Sequence, residues 1–217
     1  MSIQAVLDLA ESDLGYTESP AGSNNTKFGK AYGLQGQPWC VMALWYWFNE
    51  AGERMAFFGG GKTASCSTLL RWYREQGLVV PVSETQSGDI VIMNFSGTSD
   101  TQHCGIVQKV IDRESGWYRT IEGNTSPGLE GSQDNGGCVA LKARHKKNVV
   151  AVCRPMYTED KPADYVGHWS EEDVRWAMAL KLVRGYEDGN FRPDRNITRA
   201  ETVHILHNFF KILKNEV

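Results

Sequence analysis

The sequence predicts an α+β fold for residues 1–157, followed by a small all-α helix-loop-helix unit over residues 164–217. Three observations carry this expectation. Helical periodicity dominates the first third of the chain. Short β-rich runs separated by turn residues then fill residues 88–154. Beyond a short charged, Pro-containing stretch (158–163, read as a linker) come two more helical segments. Helices first and a meander of strands afterwards is the pattern of an α+β domain with an antiparallel sheet.

Apolar positions at helical spacing run from Ile3 to Leu14 and stop at Gly15. Residues 20–38 are rich in Gly, Asn, Ser and Pro and read as loop. Pro38 opens the run Trp39-Cys40-Val41-Met42-Ala43-Leu44-Trp45-Tyr46-Trp47-Phe48, and Gly52 closes it, which predicts one buried helix over 39–51. The aromatic residues 45–48 lie inside that apolar helix and are expected in the core rather than as a sugar platform. Ser65 is placed to cap a helix reaching Gln76, with Gly77 as its stop. Strands are expected over 88–93, 102–111, 117–123, 138–144 and 149–154, with hairpin turns between them. The last two helices are expected over 170–183 and 198–213, joined by a turn-rich loop, Gly185 to Asp194.

Composition excludes several classes. A chain of 217 residues with 41% hydrophobic and 23% charged residues has the mix of a globular protein able to bury a core. Its net charge of −3 gives no field for nucleic acid. No apolar stretch is long enough for membrane insertion. The segment Met1 to Asp8 lacks a positive start and an apolar run, so it does not read as a signal peptide. The five cysteines (40, 66, 104, 138 and 153) show no CxxC spacing, which argues against a zinc ribbon and a disulfide scaffold. Free thiols fit synthesis in a reducing cytoplasm. A zinc cluster drawn from His103, Cys104, Cys138, His145 and Cys153 fits no common spacing. No metal and no cofactor are expected.

A thiol nucleophile must be a thiolate, and a thiolate needs electropositive surroundings. Cys40 sits at the expected start of a helix, where free N–H groups and the macrodipole favour an anion. His103 lies on an expected strand, with Glu122 19 residues on and Asn124 two beyond that. Alternation along a strand would place Glu122 and Asn124 on one face, toward the helix of Cys40. His103 would then act as base and acid, Glu122 would orient its imidazole, and Asn124 would support both. The Cys40 N–H and a side chain such as Gln37 would form an oxyanion hole, and Trp39 would wall the substrate groove.

Five segments here resemble motifs of CHAP-domain hydrolases, in that family's order. Asn24 to Gly29 and Gly36-Gln37-Pro38-Trp39-Cys40 resemble the nucleophile region. Ser87-Gly88-Asp89-Ile90-Val91 and Gln102-His103-Cys104-Gly105-Ile106-Val107 resemble the histidine region. Ile121-Glu122-Gly123-Asn124-Thr125-Ser126 resembles the Glu–Asn strand. The resemblance covers residues 1–157. It implies a papain-like fold and cleavage of an amide bond in bacterial peptidoglycan, either N-acetylmuramoyl–L-alanine or a bond within the peptides. Many such relatives are phage or prophage endolysins, released to the wall without a signal peptide. Two alternatives stand beside this reading: a non-catalytic wall-anchored interaction protein, and an NlpC/P60-type cysteine peptidase or thiol transferase. Some relatives carry an acidic calcium loop before the nucleophile. Residues 27–39 hold no Asp or Glu, so no calcium is expected there.

Two further segments invite functional readings. Gly59-Gly60-Gly61-Lys62-Thr63 follows no expected strand and reads as a loop rather than a phosphate cradle. The basic run Lys142 to Lys147 reads as a solvated hairpin end.

In the rear unit, Asp188-Gly189-Asn190 with Asp194 fails the EF-hand pattern. Thr198-Arg199-Ala200-Glu201 reads as a capping box, with a weaker cap at Ser170 to Asp173. That leaves Arg199 free to meet an anion. Asp164 to Trp169, Gly185 to Asp194 and Ile197 to Glu201 resemble an S-layer homology (SLH) repeat. The resemblance implies binding of an anionic secondary cell-wall polymer by Arg199, with Trp169, Asp164, Asp188 and Gly189 nearby. Relatives pack three repeats together, so this single unit is expected either to dock on the catalytic domain or to bring three chains together, and association into a homotrimer is the favoured expectation.

Overall fold

The computed structural model describes residues 3–98, 100–129, 136–157, 163–180, 182–186 and 190–215. The chain divides into two compact units, Met1–Tyr157 and Thr158–Val217. Most of the expected linker lies outside the described residues.

The first unit opens with five helices: α1 (Ile3–Ser12), α2 (Lys27–Tyr32), α3 (Cys40–Glu50), α4 (Arg54–Phe58) and α5 (Cys66–Glu75). Six strands follow: β1 (Val79–Val80), β2 (Ile90–Met93), β3 (His103–Asp112), β4 (Trp117–Thr125), β5 (Cys138–His145) and β6 (Val149–Cys153). The short helices α2 and α4 and the two-residue β1 were not expected. Helix α2 lies inside the stretch read as loop. It is held by its ends rather than by length: Thr26 Oγ1 accepts the Gly29 N–H at 2.9 Å, and Gly33 closes the helix. Helix α5 begins as expected, with the Ser65 hydroxyl accepting from Thr68 N–H.

All strand pairs are antiparallel, in the order β1-β6-β2-β3-β4-β5. The expected meander holds for β2 to β5. Strand β6 departs from it by crossing back to insert between β1 and β2. One face of the sheet presents Ile90, Ile92, Cys104, Ile106, Ile121, Val139 and Ala151 to Val6, Phe28, Val41, Leu44, Trp47, Phe48 and Leu69 of the helices. Fully burying one such side chain contributes about 1.5–3 kcal/mol. The opposite face carries a smaller apolar cluster, Val91, Met93, Val107 and Val152.

Asp13, just past α1, accepts the indole N–H of Trp47 at 2.9 Å and pairs with Lys27. It thereby ties α1 to α2 and α3. Trp47 and Phe48 are fully buried, and Trp45 and Tyr46 pack at the edge of the core, as expected for residues 45–48. The Gly59–Thr63 segment follows helix α4.

The basic run departs from its solvated reading. Lys142 and Arg144 alternate along β5 and both are buried, while Lys146 and Lys147 are exposed. Lys142 Nζ donates to the carbonyls of Ser126 and Gly128 at 3.0 and 2.9 Å, pinning the turn after β4.

The second unit holds α6 (Glu171–Ala179) and α7 (Arg199–Asn215). The capping box at α7 is reciprocal. Glu201 N–H donates to Thr198 Oγ1 at 3.2 Å, and Thr198 N–H donates to Glu201 Oε2 at 2.8 Å. The weaker cap does not form: Ser170 makes no side-chain bond to the start of α6, because its hydroxyl pairs with His168 Nδ1 at 2.8 Å. No helix among the described residues is long and apolar enough to cross a membrane.

Candidate active site

Cys40 is the first residue of α3, preceded by Trp39, whose side chain makes no cap. The first N–H groups of that turn have no partner within the helix and none from the Trp39 side chain, and such groups favour an anionic sulfur. Cys40 is buried, with 6% of its surface exposed.

His103 opens β3 beside Met93 of β2, and its Nε2 lies 2.9 Å from Glu122 Oε2. Nε2 is thus committed to the carboxylate, which leaves Nδ1 for Cys40. Glu122 is fully buried and saturated with donors. Arg144 grips it in two places, Nε to Oε1 at 2.8 Å and Nη2 to Oε2 at 2.6 Å. Thr120 Oγ1 donates at 2.6 Å and Thr125 Oγ1 at 3.4 Å. The result is a buried chain: Cys40, His103, Glu122, Arg144.

Electrostatics follow from that chain. Hydrogen bonds from the Cys104 and Cys66 thiols, together with the imidazole of His103, hold the Cys40 thiol well below its ordinary range against the opposing pull of burial. Burial by itself would lower the pKa of His103, but contacts with Cys40 and Glu122 outweigh it and raise the value to about 9. Burial would raise Glu122, yet Arg144 and His103 hold it at about 2. The favoured state is therefore thiolate, imidazolium, carboxylate and guanidinium in alternating sign.

Strand β4 departs from simple alternation. Its register against β5 slips between Glu122 and Thr125, and Asn124 takes φ 56. Thr125, not Asn124, therefore comes back beside Glu122. Glu122 also lies on the sheet face away from α3, with Thr120 and Arg144. The residue facing α3 is Gly123, where an added Cβ would sit 2.6 Å from Ala43 Cβ and 2.8 Å from the Trp39 ring. His103 reaches Cys40 because it stands at the end of its strand. Asn124 is buried, and its Oδ1 has no hydrogen-bond partner.

Trp39 is fully buried, stacked on Phe28 at 5.2 Å, with its indole N–H directed to Glu18 Oε2 at 3.4 Å. It is a core residue and offers no open wall to a groove. Gln37 stands exposed, three residues before Cys40. Arg144 was missed by sequence reading, although its alternation with Lys142 marked one face of β5. Cys66 and Cys104 were missed as neighbours of Cys40. The three sulfurs lie within 4.8 Å of one another, the metal-capable group among the described residues. Cys138 and Cys153 stand apart from it: the Cys138 thiol donates to Thr125 O at 2.9 Å, and burial pushes Cys153 up to about 12.

The rear unit places its expected polymer-binding residues differently. Arg199 is exposed at the first position of α7, and Trp169 is 86% exposed. Asp164 is already engaged, since its two oxygens accept the N–H groups of Phe191 and Arg192 at 2.7 and 2.6 Å. Asp188 and Gly189 lie outside the described residues.

Comparison with known proteins adds three findings. No solved structure matches the chain. A 49-residue stretch is 39% identical to Cell surface glycoprotein 1 of Acetivibrio thermocellus, covering 23% of this chain and 2% of that protein's length. The family model of the CHAP domain matches residues 32–124, and that of the S-layer homology domain matches residues 163–203. The chain thus joins a segment similar to CHAP domains, which contains Cys40, His103 and Glu122, to a helical segment similar to S-layer homology domains.

Proposed function

We propose that this protein hydrolyses an amide bond of bacterial peptidoglycan through Cys40, and that its rear unit holds it at the wall. The observation that carries the reading is the buried chain from Cys40 through His103 and Glu122 to Arg144. The match of residues 32–124 to the CHAP domain supports the substrate class. The match of 163–203 to the S-layer homology domain, and a partial relative named for the cell surface, support the location.

The mechanism follows from the charges. The Cys40 thiolate attacks the amide carbonyl carbon while the oxyanion gathers toward the free N–H groups at the start of α3, with Gln37 nearby. His103, protonated at rest, gives its proton to the leaving amine nitrogen, and a thioester remains on Cys40. The now neutral imidazole takes a proton from water, which attacks the thioester and frees the thiolate. Glu122 keeps the ring oriented through both halves, and Arg144 keeps Glu122 ionised. Asn124 is assigned to supporting this arrangement from the bulge beside Glu122.

The rear unit binds an anionic wall polymer through Arg199 and Trp169, with Asp164 ordering the loop; Asp188 and Gly189, expected to join them, lie outside the described residues. Helix α7 exposes Val203, Leu206, Phe209, Phe210 and Leu213. That apolar stripe supports self-association into a trimer, tested by solution mass with and without residues 159–217. A monomer in both cases removes the trimer.

The enzyme reading is tested with Cys40→Ala. The variant is expected to pellet with purified walls as the native protein does, and to release no soluble fragments from them. Solubilisation at the native rate overturns the assignment.

A further inference from the structure

The five cysteines are not scattered evenly. Cys40 opens α3, Cys66 opens α5, and Cys104 is the second residue of β3. The folded chain brings these three sulfurs within 4.8 Å of one another, with Cys40 and Cys66 at 3.9 Å. Their sequence separations carry no zinc-site signature, so nothing in the spacing announced the group.

We propose that Cys40, Cys66 and Cys104 form a trithiolate site for one thiophilic d10 cation of the zinc type, and that its occupancy silences the nucleophile. Metal–sulfur bonds of about 2.3 Å set the sulfurs of a tetrahedral or trigonal site about 3.8 to 4.0 Å apart. The Cys40–Cys66 pair already stands at that separation, and Cys104 needs a shift of under about 1 Å to join it. Soft thiolates select zinc or copper(I) over the hard cations, whose oxygen ligands are missing from this cluster. Two helix starts converge on the site, and their free N–H groups offset the negative charge of the thiolates. A third thiol distinguishes the cluster from a simple disulfide-forming pair. Cys40 and Cys66 keep 6% and 8% exposure, while Cys104 is fully buried. The fourth position falls to water or to the Nδ1 of His103.

Binding and its consequence separate cleanly, because only the silencing rests on Cys40 being the nucleophile. The reduced full-length chain is titrated with cadmium under anaerobic conditions, and the ultraviolet sulfur-to-cadmium charge-transfer band is followed alongside wall lysis. The band is expected to saturate at one cadmium per chain with the intensity of three thiolates. Cys66→Ala and Cys104→Ala should each remove a third of that intensity and weaken binding by about 10- to 100-fold or more, since even outer partners of metal ligands cost that much. Lysis should stop in step with the band and return on adding a chelator.

In the native chain, bound zinc should protect Cys40, Cys66 and Cys104 together from alkylation. That measurement holds even if a variant fails to fold. No band, or a band untouched by removing Cys66 and Cys104, overturns the site. A full band with undiminished lysis leaves the site standing and overturns the nucleophile.

Discussion

Glu122→Gln isolates what the buried carboxylate does. The substitution keeps shape and volume but removes the charge that Arg144 and His103 share. A glutamate held at about 2 in the fold, against 4.5 ordinarily, gains about 3 kcal/mol from staying ionised. The variant also strands the Arg144 guanidinium, which is 5% exposed, and breaking a buried pair in this way costs about 3–5 kcal/mol. We therefore expect a loss of about 3–5 kcal/mol by urea unfolding near neutral pH.

The pH dependence carries a definite sign. Because the folded value lies below the unfolded one, this stabilisation is complete above about 4.5 and disappears as pH falls toward 2. The native protein should lose stability across that window, and the Gln variant should lose less. His103 should also titrate below its native value of about 9, read from its ring resonances, because one of the two groups raising it has gone. A variant within about 1 kcal/mol of native stability, with His103 still near 9, refutes the reasoning.

Four other expectations follow. Arg144→Met should also cost about 3–5 kcal/mol, and the double variant with Glu122→Gln should cost clearly less than the two losses together, in a double-mutant cycle. Gly105→Ala sets a Cβ 2.6 Å from Glu122 Cγ, so wall lysis should fall while wall binding holds, with about 1–3 kcal/mol of lost stability. The thiolate–imidazolium pair forms below the usual thiol range and persists until His103 deprotonates, so lysis should have its alkaline limb near pH 9; a rate still rising there contradicts the pairing. Thr198→Ala removes one half of the α7 capping box and should lower the stability of the rear unit by about 1 kcal/mol in thermal unfolding followed by circular dichroism.

Much of the frame was legible because it rests on local signals. The apolar run after Pro38, the Ser65 cap and the β-rich runs from Ile90 to Cys153 each announce an element without help from distant residues. The order of those elements gave the α+β class and the meander of β2 to β5. What escaped depends on contacts between distant residues. The return of β6 to β2 is a choice of sheet edge that strand composition does not encode. The bulge after Glu122 defeats alternation, so Thr125 rather than Asn124 comes beside Glu122. Arg144 looked like part of a solvated basic run until its buried carboxylate partner was in view. Trp39 was placed at a groove for its neighbour in sequence, whereas its ring is claimed by Phe28 and Glu18. The Cys40–Cys66–Cys104 group joins three elements and leaves no periodic trace.

The central claim is that Cys40 is a thiolate made reactive by His103, Glu122 and Arg144. Its most direct test is the rate of Cys40 alkylation by iodoacetamide across pH, with the modified residue identified by mass spectrometry. The account predicts that Cys40 reacts faster than free cysteine at pH 6, and that Glu122→Gln and Arg144→Met each remove most of that advantage. A Cys40 that labels no faster than free cysteine at pH 6, and gains reactivity only in the ordinary thiol range, contradicts it.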